Sequence, residues 1–351
     1  MASPSKGIVL RRPPLWEGKQ PPEGPGSGDT GTFGRTARAR LRSIINGLSV
    51  AGGLIVLCIV FSIASPYFFT TGNIYRIFQQ VAVAAALAIG QSFVIFTGGI
   101  DLSQGAVVAL SAVVGTTVMV DQHSIVLGIV VTLAVGAGVG LANGLLITVG
   151  RLVPFIATLA MLGVASGSGL LFTGGQPVFN IPGSFYAFGS NGLWVFPYLV
   201  MVSVGVAIVC QLYSTMTRGG RYVFALGSNE RAAAIAGIRI RRVVLAVYAF
   251  SGLMAGLGAV LQVAYVDSAQ PSSNTDLLLE AIAAVVIGGG SLYGGEGMVW
   301  GTIMGTLLIG VLYNGTELLN ISSYIQTILL GGAVILAVLI DNWRRKARVT
   351  A

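Results

Sequence analysis

Residues 217–242 read TRGGRYVFALGSNERAAAIAGIRIRR, a polar and basic stretch of 26 residues set between long apolar runs. Its centre, 230–236, is Ala-rich, with Ser228 and Asn229 before it as N-cap candidates and Gly237 behind it as a stop. That predicts a helix of two turns, about 12 Å long at 1.5 Å per residue. Ala232, Ile235 and Ala236 share one side by their i, i+3, i+4 spacing, while Glu230 and Arg231 face elsewhere. A helix this short does not hold by itself in water. It needs neighbours, which a partner protein could supply. The plainer alternative is a solvated loop whose arginines only set membrane topology.

The runs on either side decide the class. The chain is 54% hydrophobic and 9% charged, with a mean hydropathy of +0.84, whereas soluble domains carry about 25% charged residues. We read an all-α polytopic membrane protein with about ten spans, at 44–63, 81–96, 105–120, 125–149, 154–172, 193–213, 243–266, 277–287, 297–312 and 324–340. Residues 41–343 form the membrane domain, with the basic loop at 217–242. Residues 1–40, rich in Pro, Gly, Ser and Arg, read as a disordered tail without a signal-peptide pattern, and 344–351 as a second short tail. With ten spans and both tails cytoplasmic, nineteen of the twenty Lys and Arg fall inside and only Arg76 lies outside. Making the second and eighth segments re-entrant gives a worse charge split. The net charge of +8 is therefore a topology and lipid-headgroup signal and gives no reason to invoke nucleic acid.

Chemistry of the enzymatic kind finds no footing. Cys58 and Cys210 lie inside apolar runs, and His123 has no ligand-spaced companion. There is no G-x-x-x-x-G-K-[ST] phosphate loop and no H-E-x-x-H pair, so no cofactor and no ATP site is expected in this chain.

Interior polar groups mark the candidate site. Gly98 and Gly99 follow the second span and lead into Asp101 and Ser103; Gly288, Gly289 and Gly290 follow the eighth, 190 residues on. Gly-interrupted segments at matching places in two halves point to a transport path and suggest an internal repeat. A carboxylate at such a break, Asp101, either caps the third helix or serves the path. Glu280 is either a first-turn acid or part of the path. Gln91 and Asn143 either bond between helices or line the route of a solute. Gly136/Gly140 and Gly252/Gly256 are small-xxx-small steps of a tight bundle. On these residues alone, an ion-coupled carrier using Asp101 or Glu280 stays open.

Six motifs, in order along the chain, carry a resemblance: TGGIDLS at 97–103, VPFIATL at 153–159, TGGQP at 173–177, GSNERAAAIAG at 227–237, SAQP at 268–271 and AIAAVVIGGG at 281–290. Together they resemble the permease subunits of bacterial ABC importers for simple sugars, the ribose, xylose and galactose group, over residues 44–341. The chain departs from that group in having only Pro154 before Phe155, where a second proline is common, and in carrying Glu280. The resemblance implies a cytoplasmic-membrane permease for a monosaccharide, a pentose or related sugar or polyol. It implies a second permease copy or a related chain, a cytoplasmic ATPase that binds the ATP and Mg, and a periplasmic or lipid-anchored sugar-binding protein. Ser228, Asn229, Glu230, Arg231, Ala232, Ala233, Ile235, Ala236, Gly237 and Ile238 would form the coupling helix that docks on the ATPase. Gln91, Asp101, Asn143, Phe155, Gln176, Asn274 and Glu280 are the candidate substrate path, and the loops at Gln176 and 274–276 would face the binding protein. A permease for branched-chain amino acids or another small metabolite is the alternative, with the TGGQP loop favouring sugar by resemblance.

Overall fold

A computed structural model describes residues 50–272 and 275–349. The tail 1–40, the start of the first apolar segment, Asn274 and the last two residues lie outside the described residues.

The regular structure of the described residues is helical apart from one hairpin of two-residue strands and an isolated bridge between Val178 and Ala269. Its elements are α1 (Val50–Ala64), α2 (Thr71–Phe96), α3 (Gln104–Asp121), α4 (Ile125–Thr148), α5 (Pro154–Thr173), α6 (Gly183–Ser190), β1 (Gly192–Leu193), β2 (Phe196–Pro197), α7 (Tyr198–Met216), α8 (Arg218–Ser228), α9 (Glu230–Ile235), α10 (Ile240–Val266), α11 (Thr275–Ile287), α12 (Val299–Leu318) and α13 (Ser323–Val349). Six of these, α2, α3, α4, α5, α7 and α10, are long and apolar enough to cross a membrane, and the apolar stretches of α1 and α13 are shorter. This is an all-α, multi-pass membrane protein. Large apolar side chains stay exposed on its flanks, among them Val130, Leu171 and Val209, on a surface suited to lipid.

Several boundaries differ from the sequence reading; α12, for one, runs to Leu318 rather than 312. α2 begins ten residues before the expected 81, because its polar first turns are spent on tertiary bonds. Thr70 caps it by accepting from Asn73 N–H at 3.4 Å, Asn73 and Asn314 of α12 exchange amide bonds at 2.8 Å, and Gln79 Nε2 donates to the Gly189 carbonyl at 2.8 Å. The sixth apolar segment starts at Tyr198 rather than 193, since 193–197 turn back in the β1–β2 hairpin. α6 had no counterpart in the sequence reading. α13 continues through residues 344–349, which the sequence set aside as tail.

The centre of the bundle is α10 on α4. Gly136 and Gly140 of α4 face Gly252 and Gly256 of α10 across one seam. A Cβ added at Gly140 would lie 2.9 Å from Gly252 Cα, and one at Gly252 would lie 2.7 Å from Gly140 Cα. The two glycine pairs expected only to signal tight packing are thus each other's partners, and their backbones approach as small-xxx-small helices do. On the next flank, Gln211 of α7 accepts from Val299 N–H at 3.1 Å and Trp300 N–H at 3.3 Å, supplying the N-terminal cap that α12 lacks on its own.

Candidate functional site

Polar groups from α2, α3, α4 and α10 meet at the break after α2. Asp101 is 1% exposed, and Gln91, Ser103, Gln104, Asn143 and Ser251 are wholly buried. Asp101 Oδ1 accepts the Ser103 N–H at 3.0 Å and its hydroxyl at 2.6 Å; Oδ2 accepts the Ser251 hydroxyl at 2.8 Å. Two relays feed these hydroxyls. Asn143 Nδ2 donates to Ser103 Oγ at 2.8 Å, and Gln104 Nε2 donates to Ser251 Oγ at 2.8 Å. Gln91, with its amide turned to suit its neighbours, donates to Gln104 Oε1 at 3.2 Å and to the Asp101 carbonyl at 3.3 Å, while accepting Asp101 N–H at 3.3 Å. Both relays end on the one carboxyl, which is how an acidic group is kept inside a membrane protein. Asn143 Oδ1 and the Tyr248 hydroxyl, which faces the Gly99 backbone, are buried without a partner among the described residues.

Of the predicted path residues, Gln91, Asp101 and Asn143 are therefore brought together. Of the two readings left open for Asp101, cap of the third helix or path residue, the backbone bond does not favour the cap. That bond goes to Ser103, the residue before α3, and ties the turn rather than the helix N–H groups. Phe155 stands 53% exposed on the first turn of α5, and Gln176 is exposed in the loop behind α5, both apart from this network. Glu280 is also separate. Asp276 is the acid in the first turn of α11, and Glu280 lies a turn further in, within electrostatic reach of Asp276 and of Tyr313 on α12. Ser103, Gln104 and Ser251 were not singled out as site residues. Their signal was a polar side chain within an apolar run.

The coupling stretch holds two helices where one was expected. α8 is capped by Thr217, whose hydroxyl accepts from Gly220 N–H at 3.1 Å, and it buries Gly220, Val223 and Leu226 as a single stripe. The glycines and arginines of 218–221 mask that period in the sequence. α9 starts on Asn229, whose Oδ1 accepts from Ala232 N–H at 3.0 Å. It stops in a Schellman motif: Ile238 N–H bonds to the Ala233 carbonyl at 3.1 Å, Gly237 N–H to the Ala234 carbonyl at 3.0 Å, and Gly237 has φ +81°. Ala233 points inward at 4% exposure. Ala232, Ala236 and Ile235, the last 89% exposed, point away from the chain. Glu230 and Arg231 are exposed as well.

α8 rests on both Gly-interrupted breaks. Phe224 of α8 stacks on Phe96 at 5.0 Å, and Gly295 N–H donates to the Phe96 carbonyl at 2.9 Å. A Cβ at Gly294 would lie 2.7 Å from Gly98 N and 2.9 Å from Gly227 Cα, and one at Gly295 would lie 2.9 Å from Ser228 Cα. The end of α8, the break after α2 and the loop after α11 thus touch backbone to backbone. The offset of 190 read from the sequence becomes 191. Gly98 and Gly289 are the matching left-handed residues, at φ +81° and +91°, and Gly288 stands where Thr97 does.

At the other end of α2 is a cavity of about 340 Å³. Gly72, Tyr75, Arg76 and Gln79 line it from one face of α2, Tyr186 and Ser190 from α6, and Tyr265 from the end of α10. The Tyr75 hydroxyl donates to the Ser190 carbonyl at 3.0 Å. Arg76 and Glu317 both lie within electrostatic reach of the Tyr265 hydroxyl. Arg76 is the one basic residue that the charge pattern left on the outer side, and the cavity gives it a place.

Residues 73–339 match the family described as branched-chain amino acid transport system / permease component. The ribose import permease protein of Escherichia coli (strain K12) is 40% identical over 294 residues, 82% of this chain and 91% of that one. Its counterpart in Bacillus subtilis (strain 168) is 42% identical over 295 residues, 83% of this chain and 91% of that one. The D-allose transport system permease protein of Escherichia coli (strain K12) is 34% identical over 289 residues, 82% and 89% of the two chains. No solved structure gives a significant match. Matched along most of its length and at these identities, the chain belongs to this permease family, the multi-pass membrane subunits of ABC importers.

Proposed function

We propose that this chain is the translocating subunit of a monosaccharide importer in a bacterial cytoplasmic membrane. The observation that carries the reading is similarity to ribose and allose permeases sustained over more than four-fifths of the chain. Two copies, or this chain with a related one, form the pathway. A separate ATPase binds the ATP and Mg, and an extracytoplasmic binding protein delivers the sugar. Ten crossings with both termini cytoplasmic put the arginines of 218–242 on the ATPase side. There α9 offers Ala232, Ile235 and Ala236 as a small apolar face on a rigidly capped helix, the kind of surface that seats in a groove. Motion of α9 passes through α8 to the two Gly breaks that α8 touches, which makes the short helix a lever on the membrane bundle.

The test is reconstitution of the permease with its ATPase and binding protein in liposomes. Uptake of D-ribose or D-allose is expected only with ATP inside the ATPase compartment. Ile235→Arg should cut uptake at least tenfold while leaving the melting temperature of the purified permease unchanged, because Ile235 makes little contact within the chain. Uptake that runs on an ion gradient without ATP, or that survives Ile235→Arg at full rate, would sink this reading.

A further inference from the structure

Resting on the sugar-importer reading, we propose that the cavity between α2, α6 and α10 is a monosaccharide-binding site on the permease itself, where a neutral sugar ring lodges between delivery and translocation. Its chemistry is that of a sugar site. Tyr75, Tyr186 and Tyr265 offer aromatic faces for the C–H side of a pyranose or furanose. Hydroxyls are met by both kinds of partner: the Arg76 guanidinium donates, the free side of Gln79 accepts through Oε1, the Tyr75 hydroxyl, its hydrogen given to Ser190, accepts, and those of Tyr186 and Tyr265 do either. Two of these groups are held in place beforehand, Tyr75 by the Ser190 carbonyl and Gln79 by the Gly189 carbonyl. A ligand therefore meets a site already organised by α6.

Charge does not favour an anion strongly. Arg76 is the one charged residue lining the cavity, and the Glu317 carboxylate, outside that lining, opposes its influence on Tyr265. The field on a ligand is therefore that of one cation partly offset by a neighbouring acid. Size agrees, because about 340 Å³ lies at the small end of ligand pockets, which run from about 300 to 1,000 Å³. Place agrees too. Tyr75 and Phe96 are 21 residues apart on one helix, about 30 Å at 1.5 Å per residue, so the cavity lies across the bundle from the coupling helices. That is the face where a delivered sugar would arrive.

Gly72 supplies a clean test. It lines the cavity, and a Cβ there meets nothing within 4 Å, so a side chain can be started at this position without a backbone clash. Full-length permease in nanodiscs, without binding protein, is examined by saturation-transfer NMR with D-ribose, D-allose and ribose 5-phosphate. Ring-proton signals are expected from the two free sugars and weaker ones from the phosphate. Gly72→Leu should lower the sugar signals at least fivefold at an unchanged melting temperature, and Tyr265→Ala should lower them in the same direction. Absence of signal in the wild type overturns the proposal, as do signals that survive both substitutions, or a preference for ribose 5-phosphate. Transport by the reconstituted importer separates the two claims. If the wild type and Gly72→Leu import ribose at equal rates, the cavity site falls and the importer reading stands. If the complete assembly with ATP moves no monosaccharide, both fall.

Discussion

The breaks after α2 and after α11 end their helices with the same pair of backbone bonds and differ in nearly everything that follows. Gly98 and Gly99 donate back to Ile95 and Val94; Gly289 and Gly290 donate back to Val286 and Val285. Three residues past the left-handed glycine, the first break has Asp101 and the second has Leu292. Asp101 gathers donors directly from Ser103, just before α3, and from Ser251 of α10, with α2, α3 and α4 acting through Gln91, Gln104 and Asn143. Leu292 packs instead among apolar side chains, and beside it Ser291 reaches Asp341 of α13 at 3.2 Å. The second break is fixed mainly by what its glycines lack, since Gly294 and Gly295 let the Gly98 and Gly227 backbones approach. At the first break a buried carboxylate gathers the donors, whereas at the second the close backbone approach depends on Gly294 and Gly295 having no Cβ. The likeness of the two breaks is one of backbone geometry, and the buried carboxyl network of the first has no counterpart at the matching position, Leu292, of the second.

Substitutions can break this contrast, beginning with the strongest. Asp101→Ala strips the acceptor from three buried bonds, each of which costs about 1–3 kcal/mol to leave unmade. A loss of about 3 kcal/mol or more is expected, read as a large fall in the melting temperature of the detergent-solubilised permease. A fall no greater than that of a surface variant would show that the carboxyl does not organise the break. Gly294→Val places a β-branched residue at φ +84° against the Gly98 and Gly227 backbones, and the strain and the clash each cost about 1–3 kcal/mol. Its distinguishing effect is on coupling. Uptake should drop more than stability predicts, because the α8 contact opens, so transport is compared with melting temperature in the same preparation. Ser251→Ala, the mildest, removes one donor to Asp101 and orphans the Gln104 amide, for about 1–2 kcal/mol. If Leu292→Ala in the second break matched it in both melting temperature and uptake, the chemical asymmetry between the breaks would lose its support.

Much of the bundle was legible in the residues because insertion into lipid imposes a strong local rule: a long apolar run must be a helix. The segments at 105–120, 125–149 and 154–172 correspond closely to α3, α4 and α5. α9 was legible for another local reason, since Asn229 and Gly237 are the residues its two ends require. The rule fails where polarity is answered from a distance. The first ten residues of α2 look unlike a membrane helix until Asn314 and Gly189 answer Asn73 and Gln79 across the fold. The same cause hid the cavity, whose residues come from three elements between positions 72 and 265.

By itself, then, the order of residues determined a membrane bundle, its Gly-jointed breaks and its short capped helix; the cytoplasmic side for that helix is an expectation that rests on nineteen of twenty basic residues. Tertiary structure alone decided that Asp101 is the common acceptor of a four-helix network, that Gly140 and Gly252 are partners, and that Tyr75, Arg76 and Tyr265 line one open cavity. Helix caps and apolar runs are short-range, encoded within a few neighbours. Which polar groups share a hydrogen bond, or which helices can approach without a Cβ between them, depends on residues that the chain brings together only by folding.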